Sequence, residues 1–264
     1  MTAREQLAQF AAGSKALSRL CREYKKERAT VHLKELVGGA LSFYAAAAAA
    51  KTGGVHVFVA EDRDAAAYLM NDFYNLLDEK QVYFFPSSYK RSVAYGAEDA
   101  QGVVQRTAAM NAVKGFTEGY LIVCTYPEAL AERVADAETL RRDTIAVKVG
   151  DSISIAVLED ALVDANFTRV DFVYEPGQYS VRGGIVDVFS FSESKPYRID
   201  FFGDEVDSIR RFNISSQLSA DKLDRVEIIP NLNAGDGAAK VSFVQFAGDA
   251  AAYWFYDADY VLRR

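Results

Sequence analysis

Three apolar runs, Val55-His56-Val57-Phe58-Val59-Ala60, Val82-Tyr83-Phe84-Phe85 and Tyr120-Leu121-Ile122-Val123-Cys124, alternate with stretches of helical spacing, and this alternation constrains the fold more than any other feature. Strands that are apolar on both faces and separated by helices build a parallel sheet covered on both sides, so the first part of the chain reads as an α/β domain. Asp62 or Asp64 can cap the helix that carries Tyr68, Leu69, Phe73 and Leu77. Pro86 stops the second strand, a polar segment runs to Gly96, a helix spans about 98–116, and Pro127-Glu128 opens another. Upstream, residues 4–28 read as a helix with Leu7, Phe10, Ala11, Leu17, Leu20, Cys21 and Tyr24 inward and Lys15, Arg19, Arg22, Lys25 and Lys26 on the opposite face. Residues 31–37 read as a short strand, Gly38-Gly39 as a turn, and 40–51 as an Ala-rich helix closed by Gly53-Gly54.

From about Asp136 the pattern changes. One helix, 155–165, precedes closely spaced strands at 169–174, 179–189, 197–202 and 205–212, with turns at Glu175-Pro176-Gly177, 192–196 and Gly203-Asp204. Further strands read at 225–230 and 241–246, with a loose segment at 231–237 between them. Residues 253–262 are strand-like and stop abruptly, which reads as a truncation at Arg264. The predicted organisation is a first domain over 1–135, a small α+β domain over 136–229, and a return to the first domain over 230–264.

A net charge of -7, from 30 Lys and Arg against 37 Asp and Glu, argues against bulk electrostatic grip on nucleic acid. Cys21 and Cys124, with only His32 and His56 beside them, make neither a disulfide framework nor a zinc site of ordinary spacing, and both read as core thiols of a reducing, cytoplasmic protein. The longest apolar run, 41–50, is shorter than the ~20 residues of a membrane span. Both histidines alternate within apolar strands and read as packed or edge residues, and Asp204-Glu205 with Asp207 lacks the spacing of a calcium loop. No nucleophile, base and orienting group fall at supporting spacings, so no catalytic, metal or cofactor residue is assigned.

The phosphate loop that such a domain would carry between its first strand and first helix is missing its chemistry. At that place stands Leu36-Val37-Gly38-Gly39-Ala40-Leu41-Ser42-Phe43, with no lysine to pair phosphates. Lys51-Thr52 resembles the end of such a motif, yet no glycine precedes it and two follow, so it reads as a helix terminus.

In Tyr197-Arg198-Ile199-Asp200-Phe201-Phe202 a period of two sends Tyr197, Ile199 and Phe201 to one face and Arg198, Asp200 and Phe202 to the other. An aromatic beside an arginine on a polar face has the composition of a protein-interface hot spot. Two readings of Phe202 stand: an exposed contact residue, or a core residue covered by a β-bulge or an overlying helix. Arg182, on the preceding strand, joins the same patch if that strand pairs with the Arg198 strand, and Gly183-Gly184 is then a bulge or a point of close approach.

The run Glu175-Pro176-Gly177-Gln178-Tyr179-Ser180-Val181-Arg182-Gly183-Gly184-Ile185-Val186-Asp187-Val188-Phe189, with Pro196-Tyr197-Arg198-Ile199-Asp200-Phe201-Phe202-Gly203-Asp204-Glu205-Val206-Asp207-Ser208-Ile209-Arg210, resembles the N-terminal region of the bacterial transcription-repair coupling factors (Mfd). It also resembles the excinuclease subunit UvrB, which keeps a phosphate loop where this chain has 36–43; the absent lysine favours the coupling factors. The resemblance implies a degenerate P-loop-type (RecA-like) parallel sheet domain with an inserted small α+β domain. The implied function is a non-catalytic module that recruits the repair protein UvrA, with two arginines and a phenylalanine of the family's UvrA contact falling on Arg182, Arg198 and Phe202. The ATP-driven motor, the RNA polymerase contact and the grip on double-stranded DNA would belong to other parts of such a protein, and its C-terminal domain would mask this surface. The competing expectation is a UvrB-type, ATP-dependent protein that handles damaged DNA with a nonstandard phosphate loop. The basic face at 15–26 could touch nucleic acid, against which the net charge weighs.

Overall fold

The apolar runs at 55–60, 82–85 and 120–124 pack side by side because each is buried on both faces and needs neighbours for its backbone groups. In the computed structural model, which describes residues 2–24, 26, 29–89, 99–232, 239–261 and 263, they form the strands Gly54–Val59, Val82–Phe84 and Tyr120–Thr125. With Ala252–Phe255 they make a four-stranded parallel sheet in the order Ala252–Phe255, Gly54–Val59, Tyr120–Thr125, Val82–Phe84. The chain divides into two compact units, one of Met1–Ser87, Ala112–Glu132 and Ser242–Arg264, the other of Ser88–Asn111 and Arg133–Val241.

In the first unit Asp62 caps the helix Arg63–Leu76 by accepting from the Ala65 amide at 2.9 Å, and Gly53, at φ +66, ends the helix Ala40–Thr52. His56 is wholly buried. The Trp254 indole donates to its Nδ1 at 3.1 Å and its Nε2 donates to the Gly53 carbonyl at 2.9 Å, so the ring is neutral and satisfied; burial lowers its pKa to about 4. Cys21 and Cys124 are buried thiols, as their sequence context indicates. Among the described residues no helix is long and apolar enough to cross a membrane, and no group of His, Cys, Asp and Glu could hold a metal ion.

Several elements differ from the sequence expectation. The 4–28 helix is two helices, Ala3–Gly13 and Lys15–Tyr24, broken at Ser14, whose extended backbone ends the first while its hydroxyl accepts from the Leu17 amide of the second. Residues 31–37 form no strand: they are largely exposed and no neighbour pairs with them, so His32 is an exposed loop residue. Residues 241–246 turn helical after Val241 because Ser242 and Gln245 make a capping box that starts Phe243–Ala247. The 253–262 run is a strand only to Phe255 and becomes the short helix Ala258–Val261. Of the 169–174 stretch only Arg169 lies in a paired strand, Thr168–Arg169. The start of the 98–116 helix and most of the 231–237 segment lie outside the described residues; the helix is described from Ala100 to Lys114.

In the second unit six strands lie in the order Ser219–Leu223, Glu205–Phe212, Tyr197–Phe202, Ile185–Val188, Gln178–Arg182, Thr168–Arg169, antiparallel except for the last pair. One face packs under the helix Ile155–Asp164, whose Leu158 and Leu162 meet Tyr179, Val186, Val188, Tyr197, Ile199 and Ile209 in a single core. Burying those side chains is what holds the sheet, at about 1.5 to 3 kcal/mol for each large one. A separate antiparallel pair, Ile145–Lys148 with Arg225–Ile228, closes the same core through Val147, Val226 and Ile228. The whole is mixed α/β, a parallel sheet with helices and a distinct, mostly stranded domain, as the sequence predicts.

Candidate functional site

The face of the six-stranded sheet opposite its core is where the sequence-predicted residues gather. Gly183-Gly184 makes the tight turn of a hairpin, so the expected 179–189 strand is in fact two strands, and Ile185–Val188 lies between the Arg182 and Arg198 strands. Direct pairing of the Arg182 strand with the Arg198 strand is therefore wrong: Gly183, at φ +59, reverses the chain, and the intervening strand takes the place beside Arg198. Close approach at Gly184 does occur, since a Cβ there would stand 3.0 Å from the Phe201 carbonyl oxygen.

The intervening strand brings the two arginines together through Asp187, which pairs in register with Arg198 and is only 1% exposed. Arg198 grips its carboxylate with both prongs, Nε to Oδ1 at 2.7 Å and Nη2 to Oδ2 at 2.8 Å, and Arg182 donates Nη2 to Oδ2 at 2.6 Å. Two charge-assisted partners satisfy an acid that burial would otherwise penalise. The hydrogen bond to Asp187 in turn holds the Arg198 guanidinium above its ordinary pKa. Arg198 also lies 4.4 Å from the Phe212 ring centroid and donates to the backbone and side-chain oxygens of Gln217 at 3.4 and 3.3 Å. Its side chain is 15% exposed against 36% for Arg182, so the two arginines are not equivalent surface groups.

Phe202 is 85% exposed at the end of its strand, where it pairs across the hairpin with Glu205; of the two readings, core and contact residue, the core one fails. Phe201, its neighbour, turns inward and packs against the core. Asp200, on the Arg198 face, accepts from Arg210 and, at 2.8 Å, from Ser208. The alternation of Ile185-Val186-Asp187-Val188 carried a signal for Asp187, an acid in the slot that faces away from the core. Its role as the link between two strands was hidden because register is a tertiary fact.

At the place of the missing phosphate loop, Gly38 and Gly39 precede the helix Ala40–Thr52, but no strand leads into them. The Ser42 hydroxyl, buried, donates to Asp72 Oδ2 at 2.5 Å, and the Phe43 ring packs 5.2 Å from that of Phe10. The hydroxyl at the position where such loops meet magnesium is thus held by a carboxylate, and what the segment lacks for pairing a triphosphate is the lysine.

Residues 145–233, which hold this sheet, match the family model of the UvrB interaction domain. Over 199 residues, 75% of its length, the chain is 29% identical to the transcription-repair-coupling factor of Bacillus subtilis (strain 168) and 28% identical to that of Escherichia coli (strain K12). Over 101 residues it is 34% identical to the protein of the same name from Haemophilus influenzae. The chain spans 17% of the first two relatives' length and 9% of the third's. Residues 145–233 are thus similar to the UvrB interaction domain, and three quarters of the chain is similar to the transcription-repair coupling factors.

Proposed function

We propose that this chain is a non-catalytic recruitment module that binds UvrA through Arg182, Arg198 and Phe202, and so brings excision repair to RNA polymerase stalled at DNA damage. The observation that carries the reading is Phe202, a large aromatic left in solvent on the arginine-bearing face of the six-stranded sheet, which lies within the residues that match the UvrB interaction family. In this reading the small domain, 136–229, presents the contact. ATP-driven movement on double-stranded DNA and contact with RNA polymerase belong to other parts of a coupling factor. The UvrB-type reading, an ATP-dependent enzyme, is disfavoured by the absence of a lysine at 36–43 and of a strand leading into Gly38-Gly39. The test is co-purification of UvrA with the chain and with its Phe202→Ala variant. Retention by the first and loss by the second supports the module; no retention by either removes it.

A further inference from the structure

The two arginines do more than face outward: each fastens a loop. Arg182 donates Nη1 to the Asp171 carbonyl at 3.3 Å and lies 4.9 Å from the centroid of the Phe172 ring, while Phe172 itself remains 48% exposed. That loop is pinned further on by the Gln178 side-chain oxygen, which accepts from the Tyr174 and Glu175 amides at 2.9 and 3.1 Å. Arg198 does the same for the loop after Glu205–Phe212, through both oxygens of Gln217, a non-glycine residue held at φ +56. Asn213 Oδ1 accepts from the Ser215 and Ser216 amides there, at 2.9 and 3.0 Å, and the Asn213 amide donates to the Leu218 carbonyl at 3.0 Å. Leu218 is nonetheless 69% exposed. Ordered loops that hold apolar side chains in water are an arrangement that favours a partner, because the entropy of ordering has already been lost before binding.

Strand order places these loops on either flank of the arginine cluster, since Ile185–Val188 and Tyr197–Phe202 lie between the strand that follows the Phe172 loop and the strand that precedes the Leu218 loop. Asp187 and Asp200 sit among Arg182, Arg198 and Arg210, leaving a single net positive charge. A phosphate backbone calls for several uncompensated cations, whereas one suits a carboxylate. We propose that Phe172 and Leu218 are contact residues that flank the arginine cluster, and that with Phe202 they form a surface for a protein segment presenting a carboxylate between apolar side chains. This deepens the UvrA reading and rests on it.

The test is calorimetric titration of UvrA into the whole chain and into Phe202→Ala, Phe172→Ala and Leu218→Ala variants, each checked by thermal melting. Phe172→Ala and Leu218→Ala should each weaken binding roughly fivefold to tenfold with unchanged melting, and wild-type affinity should fall as salt rises from about 0.05 to 0.5 M. If the wild-type chain binds and Phe202→Ala weakens it while both loop variants stay within about twofold, this proposal is overturned and the UvrA reading stands. Salt-independent binding would remove the carboxylate from the proposal. If the wild-type chain does not bind UvrA at all, the proposed function itself falls.

Discussion

Asp187 and Arg198 face each other directly across two antiparallel strands, the guanidinium closing on the buried carboxylate with both of its prongs. The pair is structural before it is anything else, because Arg182 shares the same acid and each arginine also secures a loop.

Replacing Asp187 by Ala should destabilise the small domain by about 3 to 5 kcal/mol, since it leaves Arg198, largely buried, facing Arg182 without the acid between them. Urea unfolding followed by circular dichroism measures this. A midpoint within error of wild type would mean that the ion cluster contributes little to the fold.

Phe201 and Phe202 should separate cleanly. Phe202→Ala is expected to leave the melting temperature nearly unchanged and to cost about 2 kcal/mol of UvrA binding, while Phe201→Ala, which removes a ring packed on the core, should cost about 1 to 3 kcal/mol of folding stability. A melting curve and a titration on each variant decide it, and a large drop in melting temperature for Phe202→Ala alone would invert the face assignment.

Arg198→Ala should differ from Arg182→Ala. Arg198 is mostly buried and holds both oxygens of Asp187, so its loss should lower both the melting temperature and the affinity; the more exposed Arg182 should lower affinity with the smaller change in melting. Equal melting temperatures for the two variants would show that the difference in burial has no energetic weight.

The chain should show no saturable ATP binding at micromolar concentrations, because residues 36–43 offer no lysine and no strand leads into Gly38-Gly39. Isothermal titration with ATP and magnesium checks this directly; a measurable heat of binding would restore the UvrB-type reading.

His56 provides a pH test. Its folded pKa of about 4 lies below the ~6.5 of an unfolded histidine, so the unfolded state binds the extra proton between these values. The contribution is full above about pH 6.5 and is lost as pH falls toward 4, roughly 3 kcal/mol in all. Carboxylates titrate in part of the same window, so the informative quantity is the difference between wild type and His56→Gln in urea midpoints at pH 7 and pH 4.5. Parallel pH profiles for the two would show that the ring is not held neutral by the fold.

What could be read in advance was whatever is local or periodic. The cap of the helix Arg63–Leu76 was narrowed to Asp62 or Asp64 by position, and the period of two put Phe201 and Phe202 on opposite faces while leaving open whether Phe202 is covered. Residues 31–37 looked like a strand because Val31, Leu33, Leu36 and Val37 make a short apolar run, but a strand exists only where another strand accepts its hydrogen bonds. Gly183-Gly184 was legible as a point of close approach and not as a turn, since the apolar alternation continues on both sides of it. The Asp187 link between the arginines depends on register, as does the Gln217 contact, and neither is written in any local window.

The hydrogen bond from Ser42 to Asp72 also bears on how a nucleotide site might be engineered into this fold. Supplying a lysine near Gly39 would not suffice, because no strand leads into Gly38-Gly39 to aim the loop, and the hydroxyl stays on Asp72 unless a magnesium ion draws both groups to itself. At least two changes, one at the loop before the helix Ala40–Thr52 and one in the segment 31–37 that leads into it, would be needed together, and the first alone would leave the old fastening in place with no new ligand.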